Sequence, residues 1–143
     1  MKIFTIGYEG ATQADLIAAL VQADVKRLID VRAVPLSRKP GFSKNVLKNG
    51  LAEVGIDYLH LKPLGTPPEG REAARKGKHD VLDRIYRAHL KGVEAQASAA
   101  MMLKAAAEAP SALLCFERDP DACHRSILLD AVAPEAERVD LFA

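Results

Sequence analysis

The sequence predicts one α/β domain over residues 1–143, a mostly parallel sheet of about five strands flanked by helices. Three observations predict it. Short aliphatic segments, Ala112-Leu113-Leu114-Cys115-Phe116 above all, are apolar on both faces, as strands covered by helices on each side must be. Segments with apolar residues at helical spacing separate them. The 143 residues, 49% apolar and 27% charged, suit one globular core and leave no room for a second.

Lys2 to Tyr8 reads as the first strand, and Thr12 with Asp15 resembles a capping box ahead of Leu16, Ile17, Leu20 and Val21 at helical spacing. Arg27 to Val31 is the second strand. Ala33 to Phe42 has the prolines, glycine and basic groups of a loop. Ser43 is placed to cap a helix carrying Val46, Leu47, Leu51 and Val54, stopped by Gly55. Asp57 to Leu61 is the third strand. The run Pro63 to Gly70, with three prolines and two glycines, reads as irregular and as a lid. Asp80 is placed to cap a helix through Leu90, Gly92 interrupts it, and an Ala-rich helix reaches Ala109. Ser111 to Glu117 is the fourth strand. A helix with Ile127, Leu128, Ala131 and Val132 inward stops at Pro134, and Arg138 to Phe142 is a short final strand.

Composition narrows the class of function. The longest stretch without Asp, Glu, Lys or Arg is Ala95 to Leu103, far short of the roughly 20 apolar residues of a membrane span. Glu9 cuts the opening apolar run below the length of a secretory signal, and two cysteines make no disulfide scaffold, so the cytoplasm is the expected location. The net charge of +1 hides two basic segments: 26–49 has seven basic groups against Asp30 alone, and 62–91 has eight against four. Converging basic segments suit an anionic ligand or a nucleic-acid backbone, although solvated surface charge explains many of these lysines.

Ligands of an open parallel sheet bind at the carboxyl ends of the strands. Those ends carry Gly7, Tyr8 and Glu9; Asp30 and Arg32, then Pro35 and Ser37; His60 and Lys62; and Glu117, followed by Cys123, His124 and Arg125. Asp30 and Arg32, two apart, leave an extended strand on one face and are placed to pair. Glu117 ends the most apolar strand, where burial raises a carboxyl pKa, and so suits proton transfer; an ion pair with Arg32 or Arg125 is the structural alternative. Cys123-His124-Arg125 opens a helix whose free N–H groups favour an anion and a reactive thiol, unless Asp121 caps them. Cys115, Cys123, His124 and His60 fit no metal-ligand spacing, so no metal is expected, and Cys115 reads as a small core residue. Met101 and Met102 read as core.

Thr5-Ile6-Gly7-Tyr8, Asp30-Val31-Arg32 with Pro35 and Ser37, Phe42-Ser43, and Cys115-Phe116-Glu117 leading to Cys123-His124-Arg125 together resemble the family known as domain of unknown function 488. The resemblance implies a single α/β domain of bacteria and archaea with Gly7, Tyr8, Asp30, Arg32, Pro35, Ser37, Phe42, Glu117, Cys123, His124 and Arg125 gathered at one sheet edge. Glu9 departs from the small hydroxyl residue that many members have there. No reaction or cofactor comes with the resemblance.

The leading expectation is a small anionic, phosphate-bearing ligand, nucleotides included. Arg32 and Arg125 hold the anion, Glu117 or Asp30 moves a proton, and Tyr8 or Phe42 stacks a ring. The alternative is a nucleic-acid module using segments 26–49 and 62–91, against which stand the 5% aromatic content and a pI near 7.8. A redox-responsive protein using Cys123 is the third.

Overall fold

A computed structural model describes residues 1–143. Five strands, β1 (Lys2–Gly7), β2 (Arg27–Asp30), β3 (Asp57–His60), β4 (Ser111–Cys115) and β5 (Glu137–Phe142), pair in the order β3-β2-β4-β1-β5, all parallel. The α/β class expected from the sequence is what is found. Six helices flank the sheet: α1 (Gln13–Gln22), α2 (Lys44–Ala52), α3 (Pro68–Arg75), α4 (His79–Leu90), α5 (Val93–Glu108) and α6 (His124–Val132). No helix is long and apolar enough to cross a membrane.

The period-two alternation of the strands divides the core into two layers. Phe4, Ile6, Leu28, Ala112 and Leu114 pack with Leu16 and Leu20 of α1 and with Leu47 and Leu51 of α2. Ile3, Ile29, Val31 and Leu113 face the other way, against Ala73, Leu82, Tyr86, Met102 and Leu128 from α3 to α6. Side chains such as Leu16, Leu28 and Leu113 are wholly buried, and each contributes about 1.5–3 kcal/mol by leaving water.

Thr12 and Asp15 form the reciprocal capping box: Thr12 Oγ1 accepts from Asp15 N–H and Asp15 accepts from Thr12 N–H. Gly92 sits at the cap between α4 and α5. Several local expectations are corrected. The run Pro63 to Gly70 is not irregular throughout, because Lys62–Leu64 makes a 3-10 turn and α3 begins at Pro68. Proline is well suited to that first position, where its missing N–H is not needed and its fixed φ already fits a helix. Ser43 occupies the cap position of α2 but does not cap it, since its hydroxyl is engaged with the backbone of Ser37. Lys78 precedes α4, leaving Asp80 inside the first turn. On α6 Leu128 faces inward with Leu129, and Ile127 and Val132 pack half-buried against the same layer, while Ala131 is exposed. Met102 is buried and Met101 is exposed, so only one of the pair is core.

Candidate functional site

The ends of four strands are level: Gly7 pairs with Cys115, and Asp30 with Leu114 and His60. β1 and β2 lead to helices on one face, and β4 leads to α6 on the other. The chain therefore opens a crevice above β4, the usual ligand position in such sheets. A cavity of about 280 Å³ lies there. Tyr8, Arg32, Glu117 and His124 line it, joined by Arg71 and Arg75 of α3 and by Phe116.

Arg32 and Asp30 do pair, and the pair is buried. Nε donates to Oδ1 at 2.9 Å, and Nη2 donates to Oδ2 at 2.7 Å. Nη1 donates to the Phe42 carbonyl at 2.8 Å and to the Tyr8 hydroxyl at 3.4 Å. Of the five guanidinium hydrogens, one on Nη2 remains for a cavity ligand. Burial opposes the Arg32 charge, but the hydrogen bonds and charge of Asp30 outweigh it and hold the group protonated. Tyr58 of β3 donates its hydroxyl to Asp30 Oδ2, and a His60 ring nitrogen meets the Arg32 carbonyl at 2.8 Å. Asp30 is thus fully committed and is not among the residues lining the cavity. Its role here is to hold Arg32.

Glu117 lines the cavity half-buried, and burial raises its carboxyl pKa; Arg125 pulls the other way. No ion pair forms between Glu117 and either Arg32 or Arg125. The close approach of the Glu117 backbone to β1 depends on Gly7, because a methyl group there would overlap the Glu117 carbonyl. That carbonyl in turn accepts from Arg125 Nη1 at 2.6 Å.

Arg125 does not reach the cavity. It is wholly buried behind the wall, with Nη2 donating to the Arg118 carbonyl at 3.2 Å, Nη1 lying 3.1 Å from Cys115 Sγ, and Nε without a partner. Burial lowers its pKa. His124 is buried in the cavity wall with Nε2 2.7 Å from the Val31 carbonyl. A carbonyl only accepts, so Nε2 carries the hydrogen and Nδ1 the lone pair. Burial pushes this histidine down to about 4, so it is neutral at pH 7 and offers an anion no charge.

Cys115 is buried, as expected of a core residue, but it also lines the cavity and its sulfur is joined to that of Cys123. The sequence spacing gave no sign of that link, since it depends on α6 folding back over the end of β4. The two sulfurs and a His124 ring nitrogen lie within 4.8 Å of one another. Joined sulfurs are not thiolates, which are the metal-binding form. Asp121 does not cap α6; its own N–H donates to Asp119, and Cys123 holds the cap position with no side-chain bond to the backbone N–H groups of the first turn.

The remaining motif residues are structural neighbours of the site. Phe42 is buried and stacks on Tyr8 at 4.5 Å between centroids, which leaves it no face for a ligand ring. The Pro35 carbonyl accepts from Lys44 N–H, and Ser37 bonds to Ser43, so this pair fastens its loop to the start of α2. Glu9 accepts from the Arg118 N–H. Within the basic segments, Lys26, Arg27, Lys76 and Arg87 each meet an acidic neighbour.

Sequence reasoning missed Arg71, Arg75, Phe116 and Tyr58. The four-residue spacing of Arg71 and Arg75 places both on one helix face, a signal hidden by reading the proline-rich run as loop.

Residues 12–132 match the family described as domain of unknown function DUF488. The chain belongs to that family. The DUF488 match runs from the cap of α1 to the end of α6 and so contains β2, β4 and most of the cavity wall. Gly7 and Tyr8 of the first strand end lie before it. Among curated proteins and among solved structures, nothing matches the chain.

Proposed function

We propose that the protein binds a small anionic molecule carrying a phosphate and a planar ring, a nucleotide being the type, in the cavity above β4. One observation carries this reading. Arg71 and Arg75 both line the cavity, and neither has a carboxylate within 4.0 Å. Of the other ionisable groups of the wall, Arg32 is balanced by Asp30 and His124 is neutral at pH 7, so Glu117, whose carboxyl pKa burial raises, is the one acidic group set against the two arginines. Arg71 Nη1 donates to the Thr66 carbonyl at 2.8 Å, and its remaining donors, with the guanidinium of Arg75, are suited to contacts with phosphate oxygens. Phe116, 46% exposed at the cavity wall, offers a ring for stacking, where the sequence alone suggested Tyr8 or Phe42. Glu117 is the group in position to give or take a proton.

Thermal denaturation with nucleoside phosphates, compared with the unphosphorylated nucleosides, tests it. Saturating ligand at 100 times its Kd raises the midpoint by roughly 9 °C, from a linkage of about 2.7 kcal/mol. The rise disappears in Arg71→Ala and Arg75→Ala. Equal shifts in wild type and both variants, or none in wild type, remove the reading.

A further inference from the structure

We propose that Cys115 and Cys123 are a reversible dithiol–disulfide couple in the cavity wall, whose reduced form sets a Cys115 thiolate against the buried guanidinium of Arg125. Cys115 closes β4 and Cys123 stands at the cap of α6, eight residues later, so the link ties a strand end to a helix start. Of the two, only Cys115 lines the cavity, where it is 1% exposed, so an approach to the link from the cavity side is toward Cys115.

Arg125 supplies the argument for a charged reduced form. It is wholly buried, no carboxylate lies within ion-pairing distance of it, and its bonds go to two carbonyls and to Cys115 Sγ at 3.1 Å. Its Nε has no partner. A buried cation without an anion is costly, by several kcal/mol after relaxation. A disulfide sulfur carries no charge to offset it, whereas a thiolate at the same position does. Reduction therefore completes an ion pair that the oxidised chain lacks.

The chemistry balances with a small-molecule thiol as reductant. Its thiolate attacks Cys115 Sγ, and the Sγ–Sγ bond breaks with its electron pair leaving on Cys123, which lies 3.6 Å from His124 Nδ1 at the uncapped start of α6. A second reductant thiolate attacks the reductant sulfur of this mixed disulfide, and the electron pair returns to Cys115. Two thiols become one disulfide; Cys123 takes up one proton, and the other passes to solvent. The groups facing Cys115 are Arg125 and His124 from α6, Glu117 with Oε2 at 3.7 Å, Tyr8 and Arg32 across the cavity, and Arg71 and Arg75 from α3. Glu117 alone among them opposes a thiolate.

The experiment is iodoacetamide labelling of the native chain, read by peptide mass spectrometry across pH, before and after dithiothreitol. Before reduction neither cysteine is labelled; afterwards Cys115, on the cavity wall, labels with a midpoint about one unit or more below the ordinary value of about 8.5. Arg125→Gln moves that midpoint back up and slows labelling at pH 7 by about tenfold, the rate equivalent of one unit. If that variant fails to fold, the wild-type midpoint decides alone. A Cys115 midpoint at or above the ordinary value overturns the proposal. So does a disulfide that opens only in denaturant, or a stoichiometric metal held by both sulfurs in the purified protein.

Discussion

Arg32 and Asp30, two residues apart, form a buried two-bond pair in which both carboxylate oxygens accept from the same guanidinium. The strand alternation that aims both side chains to one side creates the pair, and the Phe42 carbonyl and the Tyr8 hydroxyl complete its hydrogen bonds. Removing one partner leaves an uncompensated buried charge. Asp30→Ala and Arg32→Ala each lose about 3–5 kcal/mol in urea unfolding, and the double variant loses less than the two singles combined. Additive losses contradict the pairing as the source of the cost.

Gly7 and the Glu117 backbone make the second prediction. A methyl group at position 7 displaces the segment that carries Glu117 and accepts from Arg125. Gly7→Ala costs about 1–3 kcal/mol through overpacking. Hydrogen exchange shows the loosening first at residues 116–118, and unchanged protection there contradicts the account.

His124 gives a pH dependence. Its pKa in the folded chain is about 4, lowered first by burial, against an ordinary value near 6.5. Between these values the unfolded chain binds the proton and the folded chain resists it, so stability falls as pH drops from above 6.5 toward 4. The loss from this one group is about 3 kcal/mol. Glu117, with its raised pKa, works in the opposite direction as pH falls. Urea unfolding at pH 7 and pH 4.5 in wild type and His124→Gln separates the two. The wild type loses more stability on acidification than the variant does, and equal losses contradict a neutral buried imidazole.

The sheet and the identity of its carboxyl edge were legible in the sequence because they depend on patterns a few residues long. Leu113 and Leu114 announce a strand buried on both faces, and Asp30, Arg32 and Glu117 announce where strands stop. The assignment of roles was not legible, because it depends on contacts between distant segments. Arg125 looked like an anion donor, yet it turns inward to the Glu117 and Arg118 carbonyls. Phe42 looked free to stack on a ligand, yet Tyr8 covers it. Arg71 and Arg75 were lost because three prolines in the preceding segment masked the start of α3.

The central claim is that Arg71 and Arg75 make the cavity above β4 an anion site. An NMR titration of the isotopically labelled chain with adenosine monophosphate tests it most directly. The account predicts saturable shifts clustered at Tyr8, Arg71, Arg75, Phe116 and Glu117, and their loss in Arg75→Ala. Shifts absent altogether, or confined to exposed lysines remote from the cavity, contradict it.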